Sequence, residues 1–185
     1  MTLYSVVVFL HVLGTLMLFA ALVLEGVSLW HIRGAVVAEH VRIWSSVGVR
    51  VVFVSTVAMP LLFLSGAYLA REGRLWNQGW LQIGLATTFV IAVMTGGITR
   101  PRIKVLRRAA AEALDVSGVL RTRLRDPFLR VSFQLRSALS LGAMFLMITK
   151  TSFGTALLVM AVAVAGGVAA SAIHRSRRDV AALTS

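Results

Sequence analysis

Two ionisable residues of opposite charge, Glu25 and Arg136, stand inside apolar runs long enough to cross a bilayer. Charge within a bilayer core is costly, so such residues are candidates for function. At about 1.5 Å per residue, both lie toward the same boundary. We therefore expect a Glu25–Arg136 pair, or a larger group with Arg50 and Gln134. The pair would fix helix register as a buried ion pair, or form a proton or substrate site; the remaining alternative is snorkelling without contact.

His11 is the other ionisable residue well inside an apolar run. One helical stripe, with steps of three and four residues, contains His11, Gly14, Thr15, Leu18, Leu22 and Glu25. We expect this stripe to face the bundle. Its imidazole could ligate haem or a metal, or relay a proton; the alternative is a histidine hydrogen-bonded to threonine or backbone. His11 and Glu25 are about 21 Å apart along the axis, too far for a catalytic dyad.

Other chemistry is poorly represented. His31, His40 and His174 fall at the inner boundary without metal-ligand spacing, so we predict no metal site there and no bis-histidine haem. Cysteine is absent, and so are a phosphate-cradling glycine loop, a nucleophile elbow and an HExxH motif. We expect no catalytic residue and no resident cofactor, with haem on His11 as the alternative.

Composition indicates a membrane protein. The chain is 58% hydrophobic and 14% charged, with a mean hydropathy of +0.85. Its net charge of +12 could suggest nucleic acid. However, residues 101–126 offer no aromatic ring for stacking on a base, and the charge abuts apolar segments. We predict anionic lipid headgroups as the partner, and no nucleic acid.

The apolar runs predict an all-α bundle in one membrane domain. A four-span count would make one helix of residues 137–171, about 52 Å long against a hydrocarbon core of about 30 Å. A break at Lys150, a start at Asp126–Pro127 and a cap from Ser152 or Thr151 favour five spans instead. The predicted spans are about 3–30, 48–70, 80–99, 127–149 and 152–173.

Basic residues orient the chain. Ten of the 19 Lys and Arg lie between Arg100 and Arg136, and the basic side of a membrane protein is normally cytoplasmic. With five spans the N-terminus is outside and the C-terminus inside. Residues 100–126 form a basic loop whose amphipathic helix lies in the interface or prolongs helix three. Anionic lipids would contact Arg100, Arg102, Lys104, Arg107 and Arg108.

Small residues indicate one close helix contact. Ala163, Gly167 and Ser171 recur every four residues in the fifth span. Such a ladder lets two helix backbones approach closely. We expect a tight helix contact along it.

Two short segments stand out together: Leu-His-Val-Leu-Gly at 10–14 and Phe-Leu-Met-Ile-Thr-Lys-Thr at 145–151. They resemble a family of small bacterial predicted integral membrane proteins of unknown function. That family has Leu-His-x-x-Gly in helix one and Met-x-x-Lys-Pro before the last helix; Thr151 stands where proline is expected. A first-helix histidine is also similar to membrane haem and copper families such as the copper-resistance D proteins, whose second ligand has no counterpart here. The resemblance implies an inner-membrane bundle without an assigned activity.

Three functions follow as hypotheses. The first is a non-enzymatic protein of the bacterial inner membrane, an accessory or structural bundle that binds other membrane subunits or itself. The second is a haem- or redox-linked membrane protein that uses His11. The third is a small transporter or channel that uses Glu25 and Arg136.

Overall fold

The structure is a computed structural model that describes residues 2–183 except 114, 117 and 125, with backbone alone for residue 119 and residues 173–183. The described chain is helical, without strands. Its helices are α1 (Leu3–Gly34), α2 (Ala38–Glu72), α3 (Gly79–Val93), α4 (Arg100–Glu112), α5 (Gly118–Leu124), α6 (Pro127–Thr149) and α7 (Phe153–Leu183). A π-helical segment, Met94–Thr99, joins α3 to α4.

Five helical stretches are long and apolar enough to cross a membrane: α1, α2, α3 with α4, α6 and α7. They run alternately up and down. One end of the bundle, here called the basic end, contains the end of α1, the start of α2, and helices α4 and α5. At the other end, a Cβ on Gly79 would lie 2.5 Å from Phe153 Cα, so the starts of α3 and α7 meet there.

The C-terminal region, over which the four-span and five-span counts differ, consists of two helices. Asp126 caps α6 by accepting a hydrogen bond from Phe128 N at 2.9 Å, and Pro127 occupies the first turn. The helix ends at Thr149, and Lys150 takes the left-handed conformation (φ 47°) that terminates many helices. Ser152 Oγ then accepts from Thr155 N at the start of α7. The prediction of five long apolar helices rather than four is confirmed.

Packing divides the long helices into two antiparallel hairpins with α3 between them. Helix α1 packs mainly on α2, and α6 on α7. In the second hairpin a Cβ on Gly167 would lie 3.1 Å from Leu135 Cα, so the small residue is needed for this approach. The ladder in α7 therefore serves a contact within the chain.

Large apolar side chains cover much of the outer surface. Leu16, Phe53, Phe89 and Val162 are each 63–65% exposed. So many exposed large apolar side chains are unusual in a protein whose solvent is water. This is the surface expected of helices that lipid surrounds.

The third stretch is longer than the predicted span of about 80–99. It continues through the π-helical segment into α4, so the basic amphipathic helix prolongs helix three, as one of the two alternatives predicted. The apolar face of α4 buries Ile103, Leu106 and Ala110 against the first part of α2. Helix α2 begins at Ala38, ten residues before the predicted span, and provides the surface for this packing.

Candidate functional site

A buried ion pair joins the two hairpins. Arg136 Nη2 of α6 donates a hydrogen bond to Glu25 Oε1 of α1, and the two side chains are 0% and 4% exposed. Each charge compensates the other in a region where either alone would be strongly unfavourable. The structure therefore brings together the two residues of opposite charge that stand out in the apolar sequence.

Two hydroxyl groups are further partners of Arg136. Its Nε lies 3.4 Å from Ser132 Oγ, and its Nη1 lies 3.4 Å from Thr95 Oγ1. Ser132 is in turn hydrogen-bonded to Thr99 at 3.0 Å. All three guanidinium nitrogens thus have a partner inside the bundle, which a buried charge needs as much as its counter-ion. We call Glu25, Ser28, Thr95, Thr99, Ser132 and Arg136 the polar cluster.

The π-helical segment positions two of these hydroxyls. Thr95 and Thr99 are 2% and 1% exposed and lie on the inward face of the segment, while Gly96 and Gly97 between them are exposed. Thr95 also donates to Ile91 O at 2.8 Å, which leaves its oxygen lone pairs for Arg136. Single-turn π-helical irregularities often occur at functional sites, because they alter which side chains face inward.

Helices α1 and α6 approach closely beside the pair. They touch along a short stretch, far less than either touches its hairpin partner. A Cβ on Gly26 would lie 2.8 Å from Phe133 Cζ, so glycine is required unless this ring moves. The contact of the two hairpins through these helices therefore depends on Gly26 and on the neighbouring ion pair.

Arg50 and Gln134 do not belong to the ion pair, so the predicted larger group is wrong. Arg50 is exposed, because the buried face of α2 is formed by Gly48, Val51 and Val52. Gln134 is two residues from Arg136 and points toward the other side of α6, where its Nε2 donates to Ala170 O at 3.3 Å. Serine and threonine hydroxyls occupy the places expected of these two residues.

His11 is half-buried and hydrogen-bonded to the neighbouring helix. Its Nδ1 lies 3.0 Å from Ser65 Oγ, and Ser65 itself donates to Leu61 O. Because Ser65 has one hydrogen, we infer that His11 Nδ1 carries the proton and that Nε2 keeps its lone pair. The backbone of Leu62 is also a partner of His11, in line with the backbone group expected, and Ser65 of α2 is a further partner that was not expected. Ligation of haem or metal by Nε2 stays the untested alternative.

The remaining histidines do not form a metal centre in the described part of the chain. Among those residues, no group of three His, Asp or Glu side chains could hold a metal ion. His31 stacks on Trp44 with ring centroids 4.1 Å apart. His40 is exposed, and the side chain of His174 lies outside the described residues.

The basic end contains a second set of polar contacts. Arg42 donates to the carbonyl oxygens of Ala110 (2.9 Å) and Ala113 (2.7 Å) and so caps the end of α4. Arg102 pairs with Asp126 at 3.1 Å and covers the ring of Phe128 at 4.6 Å. These contacts join α4 to both α2 and α6.

The predicted lipid-contacting residues differ in exposure. Four side chains are exposed and available to an external anion: Arg100, Lys104, Arg107 and Arg108. The fifth, Arg102, is partly buried and already has Asp126 as its partner. Contact of all five with lipid headgroups stays a prediction.

Sequence reasoning missed Ser28, Thr95, Thr99 and Ser132. A signal was present, because each follows helical spacing from another member of the cluster. Ser28 is three residues after Glu25, Ser132 four before Arg136, and Thr95 four before Thr99. A search for hydroxyls one turn from a charge inside an apolar run would have identified Ser28 and Ser132. It would have missed Thr95 and Thr99, because their inward direction depends on the π-helical segment.

The fold and its site thus define an all-helical bundle with a buried ion pair and its hydroxyl partners. Comparisons with protein-family models, with curated proteins and with solved structures give no match for this chain. The resemblance at residues 10–14 and 145–151 therefore stays a prediction.

Proposed function

We propose that this chain is a non-enzymatic integral protein of the bacterial inner membrane, an accessory or structural bundle. The observation that carries the proposal is the coordination of Arg136, whose three nitrogens all bond to groups of the same chain. A charged pair bonded in this way holds two helices together, and we call the Glu25–Arg136 pair the joint. Its role is to hold the two hairpins in register.

A transport site would call for a different arrangement. Ion and substrate sites in transporters lie at accessible cavities near the middle of the membrane, where charged groups have bonding capacity left for the ligand. Glu25 and Arg136 are nearly inaccessible, so the oxygen of Glu25 that has no partner among the described residues is out of reach of a substrate, and each guanidinium nitrogen already has a partner in the chain. This geometry favours the joint over a substrate site.

The position of the joint supports the accessory role. The hairpins have large apolar contacts within themselves, but α1 and α6 touch along a short stretch only. Fixing their relative position keeps the outer faces of α1, α2 and α7 in a constant arrangement. A constant outer face is what a second membrane subunit, or a second copy of this chain, needs for specific packing.

The basic end is proposed to face the cytoplasm. Exposed basic side chains on α4 would lie against anionic headgroups there, each contributing about 1 kcal/mol near the surface. This places the N-terminus outside and the C-terminus inside. The topology follows the usual excess of Lys and Arg in cytoplasmic segments.

Alkaline phosphatase fusions test this topology. The enzyme is active outside the cytoplasm, so a fusion within residues 73–78 should be active and a fusion after residue 185 inactive. A fusion at 113 serves as the matched inactive control. High activity of the C-terminal fusion would contradict the orientation.

Purification in a gentle detergent tests the accessory role. We expect native mass spectrometry to find a stoichiometric membrane subunit or a homo-oligomer, and the absorption spectrum to lack a Soret band. A Soret band that His11→Ala removes, and that the exposed-residue control His40→Ala retains, would replace this proposal with the haem-linked function. If Glu25→Gln abolished uptake of a solute at an unchanged protein level, the transport function would replace the accessory role.

A further inference from the structure

A small cavity lies beside the ion pair, on its side toward the basic end. Its walls come from four helical stretches and include Glu25 and Ser28 of α1, Gly48 of α2, Thr99, and Leu129 of α6. The space open to the centre of a water molecule is about 10 Å³. That volume suits one water-sized molecule and nothing larger.

Two polar atoms next to this cavity lack a partner in the part of the chain that the structure describes. They are Glu25 Oε2 and Ser28 Oγ, on side chains that are buried. A buried polar atom without a hydrogen bond is strongly unfavourable, and a carboxylate oxygen more so than a hydroxyl. Both residues line the same cavity, so one small molecule could satisfy both.

The chemistry of the walls selects the occupant. Glu25 Oε2 can only accept hydrogen bonds, so the occupant must donate, while the hydroxyls of Ser28 and Thr99 can either donate or accept. Arg136 already neutralises Glu25, so a cation would add an uncompensated charge in a region of low dielectric. A neutral donor and acceptor of one heavy atom meets every requirement.

We propose that the cavity beside Glu25 is a binding site for a single water molecule that bridges Glu25 Oε2, Ser28 Oγ and Thr99 Oγ1. Three partners are typical of a buried structural water. Through this water the polar cluster extends from α1 to the π-helical segment. Glu25 then contacts α6 through Arg136 and the π-helical segment through the water. The proposal rests on the role of the cluster as a joint.

Two serine variants provide the first test. Ser55 is also buried and its hydroxyl also lacks a partner among the described residues, but it does not line this cavity. Ser28→Ala removes one partner of the water, so we expect the thermal midpoint of the purified protein to fall by about 2–4 °C. Ser55→Ala removes an unsatisfied group and should leave the midpoint unchanged or raise it. Equal behaviour of the two variants would overturn the proposal.

Direct observation and ion exchange provide the second test, on the unmodified protein in lipid nanodiscs. A high-resolution map should contain one density peak about 2.7–3.0 Å from Glu25 Oε2 and Ser28 Oγ. Replacing sodium chloride by choline chloride should leave the thermal midpoint unchanged. A direct Glu25–Ser28 contact without the peak, or a midpoint that depends on sodium, would overturn the proposal. The accessory role fails separately, if the chain purifies alone and as a monomer.

Discussion

Two arginines of this protein, Arg136 and Arg102, each pair with an acid across helices but in different surroundings. The side chains of Arg136 and Glu25 are 0% and 4% exposed, whereas those of Arg102 and Asp126 are 35% and 20% exposed. The first pair needs Ser132 and Thr95 for its remaining nitrogens, and the second can use water. Burial therefore decides how much stability is lost when one partner is removed, because an interior charge has no substitute for a lost counter-ion.

The largest effect should come from removing one member of the buried pair. Glu25→Leu leaves a guanidinium that cannot be neutralised by losing a proton, whereas Arg136→Leu leaves a carboxyl that can gain one. We expect both changes to lower the free energy of unfolding by about 3–5 kcal/mol, Glu25→Leu more than Arg136→Leu. Unfolding by denaturing detergent, followed by circular dichroism, measures this.

The double variant is the control for that comparison. Glu25→Leu with Arg136→Leu removes both charges, so most of the lost stability should return. Additive losses in the double variant would mean that the two side chains do not interact, and the comparison between the two arginines would collapse.

A smaller effect is expected at the basic end. Asp126→Ala removes both the cap of α6 and the partner of Arg102, and should lower the free energy of unfolding by about 1 kcal/mol. Asp126→Asn keeps a capping side chain and removes only the charge, so we expect a loss below about 1 kcal/mol. The same detergent titration checks both. A loss for Asp126→Asn as large as that for Glu25→Leu would show that burial is not the deciding variable.

Salt should affect the stability contributed by the two ion pairs differently, and this is the smallest of the expected changes. Raising the ionic strength from about 0.1 M to 1 M shortens the screening length from about 10 Å to 3 Å. The stability difference between wild type and Asp126→Asn should shrink accordingly, because water and ions reach that pair. The difference for Glu25→Leu should stay constant. A salt-dependent Glu25→Leu effect would mean that solvent reaches the interior pair.

Sequence patterns predicted the helices better than their contacts. The cap at Asp126 and the break after Thr149 were foreseeable, because capping and termination use residues adjacent in the chain. The extension of the third helix to Glu112 was one of two open alternatives. Which alternative holds depends on the packing of Ile103 and Leu106 against α2, which is a contact between distant parts of the chain.

The polar cluster shows the same division. Glu25 and Arg136 were recognisable because a charge inside an apolar run has few favourable partners. The alternative that grouped Arg50 and Gln134 with this pair was wrong, since depth along a helix does not specify which way a side chain points around it. Hydrophobic pattern was a poor guide to that direction, because these helices also have large apolar side chains on their exposed sides.

The sequence by itself determined that this protein is a bundle of five long apolar helices with its basic residues gathered mainly at one end. Composition, run length and the capping signals near residues 126 and 150 suffice for that, since each depends on residues close together in the chain. Only the tertiary structure decided that Arg136 takes Ser132 and Thr95 as partners, and that Glu25 and Ser28 face one cavity. Those contacts depend on the rotation of each helix about its axis, which is set by packing between helices rather than by any one of them.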